Sequence, residues 1–142
     1  MSAFATTSFG AQAGLLLYHL DAIQFADPVY YIHVIGQEPP LLRRALMARF
    51  VNLDIIELTA ESKPEAMATI GREGDFDVWI TGIRRVQTPE RRHMNPLMRQ
   101  YGFIKISPFF EWSDDDVVKF LRTFEIPHED LPRNKIECGL HV

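Results

Sequence analysis

Apolar and polar positions along this chain fall into short blocks of two different periods. Runs rich in β-branched and aromatic residues at Ala3 to Thr7, Val29 to Ile35, Asp54 to Leu58, Asp77 to Thr81 and Phe103 to Ile106 read as strands. Between most of them the apolar residues recur at helical spacing. The order β-α-β-α-β-α-β-α-β-α predicts an α/β fold, a doubly wound and mainly parallel sheet of about five strands with helices on both faces. Val29 to Ile35 is almost wholly apolar, as a parallel strand covered on both faces requires.

Helix starts are marked by capping residues. Pro39-Pro40 opens a segment running to about Phe50, Ser62 with Glu65 three residues on makes a capping box, and Thr88-Pro89 supplies a cap followed by proline. Ser113 before Asp114, Asp115 and Asp116 places a cap and three acids at the positive end of a helix over 117–123. Gly14-Leu15-Leu16-Leu17-Tyr18 lies where the apolar stretch of an export signal would lie. No Lys or Arg precedes it and no small-residue cleavage site follows it, so it reads as a core helix. Met47, Met67, Met94 and Met98 read as core filler at helical spacing. Beyond Phe124 the chain turns irregular, which divides it into an α/β domain over 1–124 and a tail over 125–142 that carries Cys138.

The chain has 142 residues, enough for one ordinary core, and its formal charge of −4 argues against a general nucleic-acid binder. No segment approaches the roughly 18 uninterrupted apolar residues of a membrane span. The single cysteine excludes an intrachain disulfide and an all-cysteine zinc or iron-sulfur site, and makes the reducing cytoplasm the expected compartment. The five histidines show no paired metal spacing, so no metal is expected.

Charge is unevenly placed. Between Arg84 and Lys105 lie six cations (Arg84, Arg85, Arg91, Arg92, Arg99, Lys105) and one acid, Glu90, a local basic cluster in an acidic protein. Arginine forks suit phosphate and sulfate oxygens. Arg84 and Arg85 follow the strand ending at Thr81, where a doubly wound sheet binds its ligands. Arg91, Arg92 and Arg99 fit either that anion site or a solvated basic helix face. The turn Thr7-Ser8-Phe9-Gly10-Ala11-Gln12 joins the first strand to the first helix, a place where backbone N–H groups approach an anion. It is expected on the same sheet edge as Arg84-Arg85. Cys138, between Glu137 and Gly139, fits a nucleophilic or redox thiol and equally a drifted surface residue, since Glu137 raises a thiol pKa.

Taken together these segments resemble the phosphoadenosine phosphosulfate (PAPS) reductase family, the thiol-dependent sulfonucleotide reductases. Glu137-Cys138-Gly139-Leu140-His141 is similar to the family's catalytic ECGLH motif. Thr81-Gly82-Ile83-Arg84-Arg85-Val86-Gln87-Thr88 with Arg91 resembles its arginine-rich segment. Ser8-Phe9-Gly10-Ala11-Gln12 resembles its modified phosphate loop, and Phe103-Ile104-Lys105-Ile106-Ser107-Pro108 leading to Trp112 its K-hydrophobic-x-P stretch. The resemblance implies an adenine nucleotide alpha hydrolase-like fold with 1–124 as the nucleotide-binding domain, and reduction of 3'-phosphoadenylyl sulfate to sulfite and adenosine 3',5'-bisphosphate. Cys138 would be the nucleophile. Ser8, Phe9, Gly10, Gln12, Arg84, Arg85, Arg91, Lys105 and His141 would bind the sulfonucleotide. Thioredoxin or glutaredoxin would be the reductant, with no bound cofactor and no iron-sulfur cluster.

Three departures frame an alternative. The chain begins close to the phosphate loop, Val34-Ile35-Gly36 stands where the family commonly has Asp-Thr-Gly, and few residues separate Pro127-His128 from the ECGLH end. The alternative is a catalytically degenerate nucleotide-binding or regulatory subunit. An N-terminal helical segment is expected to be missing, and a homodimer or partner subunit to complete the site.

Overall fold

A computed structural model describes residues 2–129 of the chain; Met1 and residues 130–142, including Cys138 and His141, lie outside the described residues. Six strands, β1 (Ala3–Thr7), β2 (Val29–Val34), β3 (Ile55–Ala60), β4 (Val78–Ile80), β5 (Leu97–Gln100) and β6 (Phe103–Ile106), form one sheet in the order β3-β2-β1-β4-β6-β5. All neighbours run parallel except β5 and β6. Four helices accompany them: α1 (Gly14–Ala22), α2 (Arg43–Arg49), α3 (Lys63–Glu73) and α4 (Asp114–Thr123).

The alternation of β1 sorts its neighbours onto two faces. Ala5 points into a cluster containing Leu16 and Leu17 of α1, Leu46 of α2, and Val117 and Leu121 of α4. Phe4 points the other way, into a cluster with Tyr30, Trp79, Phe103, and Met67 and Ile70 of α3. Helices therefore cover both faces, as the alternating pattern predicts. The chain leaves β1 toward β2 and β3 on one side and later fills β4, β6 and β5 on the other. The direction of winding thus reverses between β1 and β4, which opens a crevice beyond their carboxyl ends.

The predicted caps at Ser62 and Ser113 form: Ser62 Oγ accepts from Glu65 N at 3.2 Å and Ser113 Oγ from Asp116 N at 3.1 Å. The carboxylate of Glu65 bonds Glu61 N rather than the cap residue itself, so only half of the expected box closes. Other expectations need correction. A sixth strand, β5, occupies residues read as helical, and a two-residue turn joins it to β6. Tyr101 and Gly102 at that turn have φ of 53° and 85°, the left-handed pair that a tight hairpin demands. Thr88-Pro89 starts only a short 3-10 turn, Glu90–His93. Arg91 and Arg92 lie on that turn and Arg99 on β5, so the three share no helix face. Of the four methionines only Met67 is buried in the core.

Gly14 opens α1 where the packing is tightest. A Cβ there would lie 2.3 Å from Cγ2 of the buried Ile126 and 3.3 Å from Cδ2 of Leu46. Alanine normally stabilises a helix relative to glycine, but here overpacking outweighs propensity. Gly14→Ala is expected to lower unfolding stability by about 1–3 kcal/mol in a urea titration, against a propensity gain of under about 1 kcal/mol.

Candidate anion site at the carboxyl edge of the sheet

Two loops meet in the crevice between β1 and β4. The first is the turn Ser8 to Gln12. Phe9 takes a left-handed backbone, φ 53°, unusual for a residue with a Cβ, and its ring is buried against Tyr31 at 5.0 Å. Its side chain thus anchors the turn from below, and only its backbone is offered to the crevice. Ser8 and Gly10 are exposed. Phe9 N bonds Thr7 Oγ1, whereas the N–H groups of Gly10, Ala11 and Gln12 donate to no acceptor among the described residues. A turn of free amides ahead of α1 is suited to an anion.

The second loop, 81–88, is tied to the first by Arg84. This residue is 1% exposed and its guanidinium is spent on protein partners. Nη1 donates to Trp112 O at 2.9 Å, and Nη2 to Gln12 Oε1 at 2.5 Å and Asp114 Oδ1 at 2.7 Å. Because Gln12 must turn its oxygen to Arg84, its Nε2 is left buried without a partner. That donor is one the sequence did single out, in a geometry the sequence does not reveal. Arg84 and the turn therefore share one edge of the sheet, as expected from their positions after strands.

Arg85 is looser. Its Nε and Nη2 both reach Glu111 Oε1, at 3.0 and 2.6 Å, Nη1 reaches Arg92 O, and the fork lies over Phe110. The Glu111 contact raises its pKa above the usual arginine value. Exposed pairs of this kind are weak, so an oxyanion can compete for the fork. Arg91 donates to Gln87 Oε1, which also accepts from Arg84 N.

Lys105 is buried on β6 next to Trp79 on β4, its cross-strand partner. Nζ donates to Gln100 Oε1 at 2.7 Å and lies 4.8 Å from the centre of the Trp79 ring. Burial first, then the charges of Lys63 and Arg91, lower its pKa from 10.5 to about 8. Lys63 was missed by sequence reasoning. Lys63 is exposed as a residue; its ammonium sits 5.2 Å from the same indole centre, where desolvation and then the Arg91 charge lower its pKa too. The one sequence signal was a cation in the first turn of α3, where the helix dipole disfavours it.

Among the described residues no three ligating side chains converge on a metal position. His19, with Nδ1 on Leu15 O and its ring stacked on Phe120, belongs to the packing of α1 on α4. A groove of about 320 Å³ between Trp112 and Phe124 runs along α4, outside the crevice.

Two outcomes follow from these contacts. Arg84→Ala removes the buried guanidinium that Asp114, Gln12 and the Trp112 carbonyl share, and is expected to cost about 3–5 kcal/mol of stability in denaturant titration. Lys105 is expected to lose its proton near pH 8 by NMR of its Cε resonance, with Lys63→Gln moving the midpoint upward by removing a like charge. Since the unfolded chain keeps that proton up to about pH 10.5, folding stability should rise with pH between about 8 and 10.5.

Comparison with known proteins adds the family. The family model described as phosphoadenosine phosphosulfate reductase domain matches residues 56–137. A phosphoadenosine 5'-phosphosulfate reductase of Photobacterium profundum is 30% identical over 49% of this chain and 28% of its own. An adenosine 5'-phosphosulfate reductase of Staphylococcus epidermidis is 34% identical over 45% and 39%. A phosphoadenosine 5'-phosphosulfate reductase of a Synechocystis species is 25% identical over 87% and 61%. The chain thus spans between 28% and 61% of the length of these relatives. With the model matching more than half of the chain, on a mostly parallel α/β sheet of the adenine nucleotide alpha hydrolase-like kind, the chain belongs to the phosphoadenosine phosphosulfate reductase domain family.

Proposed function

We propose that this chain binds an adenine sulfonucleotide in the β1/β4 crevice and reduces 3'-phosphoadenylyl sulfate to sulfite and adenosine 3',5'-bisphosphate. The observation that carries the reading is the junction of the two loops. Free amides of residues 10–12, the orphan Gln12 Nε2 and the arginines of 84–91 all sit at the switch point of the sheet. Ser8, Gly10, Gln12 and the backbone of Phe9 take the nucleotide phosphate. Arg85, Arg91 and Lys105 take phosphate or sulfate oxygens, and Arg84 holds the two loops in place while lying at the wall of the site.

In this reading the Cys138 thiolate attacks the sulfonate sulfur. The S–O bond to the phosphate breaks, adenosine 3',5'-bisphosphate leaves with the electron pair, and Cys138 becomes an S-sulfonate. A thiolate of thioredoxin or glutaredoxin then attacks the cysteine sulfur, sulfite departs, and the second thiol of that dithiol resolves the mixed disulfide. Two electrons come from the dithiol, so no bound cofactor or iron-sulfur cluster is required.

Cys138 and His141 lie outside the described residues. What bears on their part is the path of the chain: Glu129 N donates to Ala11 O at 3.1 Å, so the last described residue is fastened to the phosphate turn. Cys138 lies nine positions further along the chain, a contour of about 30 Å, which leaves the crevice within reach. A homodimer or partner subunit completing the site, and a cytoplasmic location, belong to the same proposal. Among the described residues no helix is long and apolar enough to cross a membrane.

Glu137 beside the thiol, and the engagement of Arg84 and Arg85 with protein acceptors, favour the second reading, a nucleotide-binding subunit without turnover. Intact-mass measurement after adding 3'-phosphoadenylyl sulfate without reductant separates the two. Reduction predicts one sulfonate adduct, lost in Cys138→Ser and removed by thioredoxin with release of sulfite. Binding of the nucleotide with no adduct establishes the subunit reading instead.

A further inference from the structure

Around Trp79, on the α3 face of the sheet, two lysine ammonium groups come together with no carboxylate in ion-pair distance among the described residues. The indole is pinned by its Nε1 donating to Thr6 Oγ1 at 2.8 Å and is 1% exposed. Lys63 Nζ and Lys105 Nζ lie 5.2 and 4.8 Å from its ring centre, so they are no more than 10.0 Å apart. Arg91 is close enough to depress the pKa of both. Neither lysine has a carboxylate within ion-pair distance among the described residues, unlike Arg43, Arg84 and Arg85, which pair with Glu57, Asp114 and Glu111.

Two further features bear on this cluster. Lys63 is the first residue of α3, at the positive end of an eleven-residue helix, where its charge opposes the dipole. Ser107, just past the end of β6, is 1% exposed, and its Oγ has no hydrogen-bond partner among the described residues. Like charges held within 10.0 Å of one another repel, and a bound oxyanion offsets that repulsion.

We infer that Lys63, with Lys105 and Arg91 beside it, forms a subsite for a phosphomonoester dianion, the 3'-phosphate of the nucleotide. This rests on the sulfonucleotide reading above. The charge inventory of such a ligand selects the group: each end of a phosphosulfate anhydride carries about one negative charge, whereas a phosphomonoester near neutral pH carries close to two. Lys63 and Lys105, cations of the cluster with no ion pair among the described residues, match the most charged group. Lys63 thereby selects the 3'-phosphorylated sulfonucleotide over the form without that phosphate.

Calorimetry with adenosine 3',5'-bisphosphate and adenosine 5'-monophosphate tests this, because the pair differs only in the 3'-phosphate. The wild-type chain should prefer the bisphosphate by tenfold or more. Lys63→Gln should cut that preference to threefold or less with monophosphate affinity unchanged, and Lys63→Arg should restore most of it. Thermal melting of the Gln variant at or above the wild-type midpoint shows that folding is retained, since a cation has been removed from a helix N-terminus. An unaltered preference in Lys63→Gln, or an equal loss for both nucleotides, overturns the subsite while leaving nucleotide binding intact. A wild-type chain that binds neither nucleotide defeats the sulfonucleotide reading and the subsite with it.

Discussion

A single buried guanidinium holds the crevice together. Arg84 extends from the loop after β4 to the turn after β1 through Gln12, to the start of α4 through Asp114, and to the carbonyl of Trp112. Burying a charge in a protein interior is tolerable only when its donors are met, and here an ionised partner and two neutral acceptors meet them. Three segments far apart in sequence are thereby fixed to one point. The turn of residues 8–12 keeps its strained Phe9 because the ring is locked against Tyr31 on one side and Gln12 is held by Arg84 on the other.

That clamp also explains an asymmetry within the basic segment. On the α4 side of the crevice Asp114 and Glu111 answer Arg84 and Arg85. On the α3 side neither Lys63 nor Lys105 pairs with a carboxylate among the described residues; both lie against the indole of Trp79, and Lys105 also donates to Gln100 Oε1. The first arrangement gives rigidity. The second leaves electrostatic demand, seen in the lowered pKa of both lysines.

The sheet was legible in the sequence because parallel strands buried on both faces need continuous apolar runs, and Val29 to Ile35 or Asp77 to Thr81 can hardly be anything else. β5 was not legible for the converse reason. A four-residue edge strand with two exposed positions has no alternation strong enough to outweigh the helical spacing of Met94 and Met98, and its hairpin turn uses Tyr101 where Asn or Asp would have been the clearer signal. The candidate site divides the same way. Residues that follow strands, such as Gln12 and Arg84, could be placed by topology alone. Lys63 could not, since its meeting with Lys105 depends on α3 crossing to the face where β6 points its lysine. That Arg84 would be spent inside the protein was also invisible, because Asp114 read fully as a helix-start acid and had no need of a second role.

The double use of Asp114 shows how a chain of this size builds a site with few parts. One carboxylate serves the positive end of α4 and neutralises Arg84, so the helix start and the loop clamp are a single structural event. Gln87 is shared in the same manner, its Oε1 accepting from both Arg84 N and Arg91. Such shared acceptors couple the loop after β4 to the cations at its far end. A ligand that draws Arg91 toward an anion must compete for the oxygen that also ends the backbone turn at Arg84. The backbone turn at Arg84 and the guanidinium of Arg91 are therefore linked through one amide oxygen, so a displacement of either bears on the other.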